Sequence, residues 1–122
     1  MKVLLDSSII LDILESNKRG VAALNFISGS EHSTSAVCYC EVLNTYGDSK
    51  REIASRFLSK LLIYPVTLED AATAVELQSS CRKRGFMLQT LDAIIAATAL
   101  NKGVLLVSSD LDFERAGGSF KK

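Results

Sequence analysis

The sequence predicts an α/β domain with a parallel sheet, and three observations point there. The runs Val3 to Leu5 and Val104 to Val107 are short and unbroken, as strands buried on both faces must be. Between them, stretches of helical period alternate with brief β-compatible segments, the order expected of helices crossing over a parallel sheet. Two acids, Asp6 and Asp110, fall at or just past the carboxyl ends of the two runs, where open parallel sheets bind ligands.

Each element has its local cause. After the first strand, Ile9, Ile10, Leu11, Ile13 and Leu14 take up a helical pattern. Asn17 can cap a second helix marked by Val21, Leu24, Phe26 and Ile27, which Gly29 stops. Ser33 to Ala36 is a very short β-compatible piece before a third helix with Val37, Cys40, Leu43 and Asn44 at helical spacing, so Glu41 lies about one turn inside it. A polar break at Gly47 to Lys50 precedes a helical pattern of Ile53, Phe57, Leu58 and Leu61. Leu62 to Val66 is the next strand, with Pro65 at its exit, where a missing N–H matters least. Thr67 opens a Thr-x-x-Asp capping signal for a long helix ending in Arg82, Lys83 and Arg84 before Gly85. Thr90 can cap the last helix, whose first turn holds Asp92 and which Gly103 ends. The segment Gly117 to Lys122 reads as a frayed tail, which leaves residues 1–116 as the domain proper.

Composition narrows the function. With 122 residues, 48% hydrophobic and 23% charged, the chain suits a single globular domain rather than a disordered one. Its 14 basic and 14 acidic side chains cancel, so it lacks the global charge of a general nucleic-acid binder and must hold any polyanion locally. Cys38, Cys40 and Cys81 show neither disulfide nor C-x-x-C spacing, which fits a reducing cytosol. Asp6 and Asp12 interrupt the apolar N-terminus, which therefore reads as neither signal nor membrane span. A dinucleotide or ATP fold is disfavoured, since neither G-x-G-x-x-G nor G-x-x-x-x-G-K-[ST] occurs.

Taken singly, the acids have ordinary explanations. Asp92 suits a helix dipole, Asp6 suits an N-cap, and Asp110 with Asp112 suits a polar turn. Glu41, set among Val37, Cys38, Tyr39, Cys40, Val42 and Leu43, is harder to explain without a partner. Jointly, acids at strand ends and helix starts can all enter one crevice. Carboxylates within about 4 Å repel by several kcal/mol at protein-like dielectric, so such a cluster requires cations or protons. An all-oxygen set suits Mg²⁺ or Mn²⁺, and a single histidine with badly spaced cysteines argues against zinc.

The segments LLDSSIILDIL, SAVCYCEVLNTY, LDAIIAATAL and LLVSSDLDFERA, in this order, resemble the four acidic motifs of the PIN-domain family, most of all its VapC-type toxin ribonucleases. The resemblance implies a three-layer α/β/α fold with a short, mostly parallel central sheet. It implies that Asp6, Glu41, Asp92 and Asp110 are the catalytic acids, with Asp112 beside them as a further metal ligand, holding Mg²⁺ or Mn²⁺ to hydrolyse single-stranded RNA. A toxin of this kind is a cytoplasmic homodimer paired with an antitoxin that offers a basic side chain to the acids. Ser7, Ser8 and Ser108 stand at hydroxyl positions of the family, where they can orient carboxylates or hold a phosphate, although serine at a helix start also serves as a cap. Two departures are visible: Ser109 replaces a residue that is frequently basic, and the chain stops near Phe120, where many relatives add a final strand.

Arg82, Lys83 and Arg84 have the dipole-favoured position of a solvated helix end, yet with Lys50 and Arg51 they are the candidates for RNA phosphate contacts. His32, alone in a polar stretch, receives no catalytic role. Two rival readings remain. One is a Mg²⁺-dependent phosphotransfer domain, against which stands the absence of Asp-x-Asp after the first strand. The other is a catalytically inactive PIN-like binding module, against which stands the retention of the acids.

Overall fold

Strands β1 (Lys2–Leu5), β2 (Glu31–Ser35), β3 (Leu62–Tyr64) and β4 (Leu105–Val107) run parallel in the order β3-β2-β1-β4, and the two-residue β5 (Phe120–Lys121) pairs in parallel with β4. The structure is a computed structural model that describes residues 1–110, 112–113 and 120–121. Among these residues the sheet is flanked by α1 (Ser7–Glu15), α2 (Lys18–Ile27), α3 (Ala36–Thr45), α4 (Asp48–Leu58), α5 (Leu68–Lys83) and α6 (Thr90–Lys102). The sheet is wholly parallel, where a mostly parallel one was expected.

The two-residue period of β1 creates the layers. Val3 and Leu5 join a core with Ile9, Ile10, Ile13, Ile27 and Leu58 of α1, α2 and α4, while Leu4 joins Leu106, Ile95, Ala96 and Ala99 on the α6 side. The polar strand β2 tolerates burial because Ser33 and Thr34 each donate a hydroxyl proton to β1, to the carbonyls of Val3 and Leu5, both at 2.7 Å. Because β2 and β4 lie on opposite sides of β1, the strand order reverses there, and a crevice opens at the carboxyl ends of β1 and β4.

Local chemistry explains several boundaries. The break between α3 and α4 is shorter than Gly47 to Lys50: Tyr46 ends α3, Gly47 is the N-cap of α4, and Asp48 already favours its first turn. The third strand stops at Tyr64, one residue before Pro65, rather than at Val66. Thr67 and Asp70 form a full capping box, and buried Asp70 also accepts from Thr98 and Asn101 of α6, which locks α5 against it. The last helix is capped at Gln89, not Thr90, and the Thr90 hydroxyl instead receives Gln78 of α5. Most of the expected tail from Gly117 lies outside the described residues, and Phe120–Lys121 adds a short strand beside β4.

Gly20 shows how tightly α1 and α2 cross. A Cβ there would sit 2.1 Å from the Asp12 carbonyl oxygen and 2.7 Å from the Ile13 Cα, so only glycine fits against that backbone.

Candidate active site

Asp6 has the backbone of an N-cap (φ −73°, ψ 158°), yet its side chain makes no capping bond. It is turned into the crevice instead. Oδ2 accepts from Ser8 Oγ and from Ser108 Oγ, each at 2.8 Å, and Oδ1 meets the Cys38 thiol at 3.8 Å. The Asp6 N–H donates to Val107 O at 3.0 Å, which ties the end of β1 to the end of β4. The parallel register that pairs Leu5 with Val107 brings Asp6 and Ser108 level.

Helix α3 supplies the next acid. Ser35 caps it by accepting from the Cys38 N–H at 3.1 Å, and its early turns aim Cys38 and Glu41, three residues apart, at Asp6. Glu41 Oε1 accepts from Ser7 Oγ at 3.1 Å. Burial holds the Glu41 carboxyl above its usual range; the Ser7 bond pulls it partly back and the Asp6 charge pushes it further up.

Beyond β4 the chain turns at once. Ser108 Oγ accepts from the Asp110 N–H, and Asp110 Oδ1 accepts from the Asp112 N–H, both at 2.9 Å. The turn brings one ligand oxygen each of Asp92, Asp110 and Asp112 within 4.8 Å of one another. Similarly, ligand atoms of Asp6, Cys38 and Glu41 lie within 4.8 Å of one another. Asp92 senses both sets: burial, then repulsion by Asp6, Asp110, Glu41 and Asp112 in that order, pushes its carboxyl up to about 6. Five carboxylates thus share one field.

The donor chemistry fits a hard divalent cation. The carboxylates offer oxygen only, and burial, then the Asp6 charge, pushes the buried Cys38 thiol up to about 12. His32 is elsewhere, with Nε2 2.9 Å from the Ile27 carbonyl oxygen.

Of the expected hydroxyls, Ser7 holds Glu41, whereas Ser8 and Ser108 hold Asp6; Ser8 Oγ also accepts from the Ser109 N–H at 3.2 Å. The basic candidates divide. Arg82, Lys83 and Arg84 are exposed at the end of α5, and Gln78 of that helix donates to Leu88 O and Thr90 Oγ1, so the α5–α6 turn sets the cluster at the end of the domain where α6 and Asp92 begin. Arg51 pairs with Asp48 of its own helix at 3.8 Å, and Lys50 borders a cavity of about 180 Å³ lined by Leu14, Tyr46, Ile53 and Ala54, away from the bonds that organise the acids. In the sequence, Cys38 reads as part of the apolar surroundings of Glu41 and not as a site residue. Its three-residue spacing from Glu41 on one helix was the available signal.

Solved structures with this fold include FitAcB from Neisseria gonorrhoeae (TM-score 0.83, 22% identity, covering 98% of this chain and 96% of that one). Others are a toxin-antitoxin complex from Klebsiella pneumoniae (0.80, 22%, 98% and 96%) and VapBC-5 from Mycobacterium tuberculosis (0.71, 21%, 98% and 95%). No curated protein sequence matches the chain. The family described as the PIN domain matches residues 3–119, a span that contains both strand ends and every acid of the crevice. This chain belongs to the PIN-domain family.

Proposed function

We propose that this protein is a metal-dependent endoribonuclease cutting single-stranded RNA, and the toxin of a toxin–antitoxin pair. The observation that carries the reading is geometric: inside a PIN-family fold, ligand oxygens of Asp92, Asp110 and Asp112 lie within 4.8 Å of one another, as do ligand atoms of Asp6, Cys38 and Glu41. PIN-domain toxins are generally nucleases, and a cluster of this kind needs a cation to be stable. Asp6, Glu41, Asp92, Asp110 and Asp112 would hold Mg²⁺ or Mn²⁺, which when bound neutralises phosphate charge and lowers the pKa of a water.

The chain's own part is positioning. Ser8 and Ser108 fix the rotation of Asp6, Ser7 fixes Glu41, and the turn after β4 presents Asp110 and Asp112 opposite Asp92. Ser7, Ser8 and Ser108 thereby serve as orienting hydroxyls. Arg82, Lys83 and Arg84, at the end where α6 begins, would meet the RNA backbone, with Lys50 and Arg51 as more distant phosphate contacts. Kinship of fold with a protein solved in a toxin–antitoxin complex supports an antitoxin partner, and the homodimer follows from the resemblance to VapC-type toxins. No helix among the described residues is long and apolar enough to cross a membrane, and the cytoplasmic location rests on the resemblance to VapC-type toxins.

The test is cleavage of a single-stranded RNA by the purified, partner-free protein in Mn²⁺, with and without EDTA, alongside Asp92→Asn. Cleavage that EDTA and Asp92→Asn both abolish is expected. Cleavage indifferent to chelation would sink the mechanism, and Mn²⁺ binding without any cleavage would mark a binding module.

A further inference from the structure

The two oxygens of the Asp6 carboxylate are served unequally. Oδ2 accepts two hydroxyl protons, from Ser8 and Ser108, each at 2.8 Å, and these fill the two lone pairs that one carboxylate oxygen presents. Among the described residues, the donor that meets Oδ1 is the Cys38 thiol, at 3.8 Å. A thiol is a weak donor with a large sulfur atom, so it restrains Oδ1 while leaving that oxygen most of its accepting capacity.

Cys38 is itself rigidly set. It is fully buried in the cluster that contains Leu4, Ile95 and Phe113, and its N–H is held by the Ser35 cap. Its sulfur lies within 4.8 Å of ligand oxygens of both Asp6 and Glu41.

We infer that Cys38 is a positioning residue whose S–H steers the unsaturated oxygen of Asp6 toward the crevice and keeps it there without occupying it. The inference rests on the metal-site reading of the acids and assigns a task to a residue outside them. Other side chains would do this less well. A serine oxygen, on a shorter bond to Cβ, falls short of Asp6, and if drawn closer it would bond more strongly and consume the oxygen that a cation needs. An apolar side chain would remove the donor that Oδ1 meets on α3 and leave the carboxylate held through Oδ2.

Two measurements test this on the full chain. The first is the S–H stretching band, isolated as the difference between wild type and Cys38→Val. It is expected at lower frequency than the band of the exposed Cys40 thiol, and Asp6→Asn is expected to return part of the shift because an amide is the weaker acceptor. The second is Mn²⁺ titration by calorimetry. Cys38→Val keeps apolar volume without a donor and is expected to weaken Mn²⁺ binding about tenfold, lowering kcat with the KM for RNA unchanged. Cys38→Ala should show the same loss, which separates it from any effect of valine's bulk.

A free-thiol frequency for Cys38, or wild-type Mn²⁺ affinity in Cys38→Val, would overturn the proposal. A shifted band and weakened Mn²⁺ binding in a protein that cuts no RNA would uphold the positioning role while removing the endoribonuclease reading. A wild-type protein that binds no Mn²⁺ overturns both.

Discussion

Ser108 Oγ donates to Asp6 Oδ2 at 2.8 Å, joining residues 102 positions apart at the carboxyl ends of two neighbouring strands. The same oxygen accepts from the Asp110 N–H, so one buried hydroxyl orients an acid of the first strand and starts the turn that carries two more. Ser108→Ala leaves Asp6 with a single hydroxyl partner and Asp110 with an unpaired amide. We expect Mn²⁺ affinity to fall about 10-fold or more, and fold stability to fall by about 1–3 kcal/mol. Calorimetric titration and urea unfolding measure the two; unchanged Mn²⁺ affinity would show that Ser108 is only a structural hydroxyl.

The metal-free fold should weaken as pH rises. Asp92 has its folded pKa raised from 3.8 to about 6, so the stabilisation from its protonation is fully present below 3.8 and lost as pH rises through about 6. Glu41 is shifted in the same direction. Asp70 runs oppositely: despite its burial, bonds from Asn101, Thr67 and Thr98 lower its pKa, so its contribution is present above 3.8 and lost at lower pH. The windows therefore separate. Urea unfolding in EDTA across pH 4 to 7 should show wild type losing stability relative to Asp92→Asn, and a constant difference between the two would refute the convergence of charge.

Asp110→Ala should harm metal binding and cleavage more than Asp112→Ala, by about tenfold or more if Asp110 alone coordinates directly. The geometry adds a reason beyond proximity to the strand end. Asp110 Oδ1 also accepts the Asp112 N–H at 2.9 Å, so its loss loosens the position of Asp112, while the reverse substitution leaves Asp110 bonded to Ser108 through its own amide. Parallel kinetics and Mn²⁺ titrations of both variants decide it; a larger loss at Asp112 would reverse the assignment.

Gly20→Ala sets two effects against each other. Alanine in a helix gains up to about 1 kcal/mol over glycine. A Cβ 2.1 Å from the Asp12 carbonyl oxygen forces the α1 and α2 backbones apart, and such overpacking costs about 1–3 kcal/mol or more. Because the opposing atoms are backbone, the clash should win. Thermal unfolding should show a lower Tm, and a Tm at or above wild type would mean that the helices part without cost.

Asp6 and Asp92 show why the site was only partly legible. From local position, Asp6 is as good a helix-start acid as a ligand and Asp92 reads more readily as a dipole stabiliser, and Asp6 does occupy the cap position while its side chain ignores the cap. No local rule tells these apart, because the choice depends on Ser108 and Cys38, which are remote in sequence. Cys38 was invisible for the same reason: a cysteine on an apolar helix reads as core until the helix is docked. Asp110 and Asp112 would share a face in an extended chain, but the Asp110 side chain folds the segment into a turn instead.

By itself the sequence determined what is short-ranged: the unbroken runs that make buried parallel strands, the Asn17, Thr67 and Gly103 signals that bound helices, and the placement of acids at strand ends. These follow from periodicity and from hydrogen bonds spanning a few residues. Tertiary structure decided the strand order β3-β2-β1-β4, and with it which strand ends face each other. It alone determined that Asp92 lies in the field of Asp6, Glu41, Asp110 and Asp112, that among the described residues one oxygen of Asp6 accepts two hydroxyl protons and the other meets a thiol, and that Ser7 serves Glu41 while Ser8 serves Asp6. The physical reason is range: a carboxylate's charge and protonation are set by every group within several ångströms, and the chain brings those groups together only when the sheet closes the β1–β4 crevice.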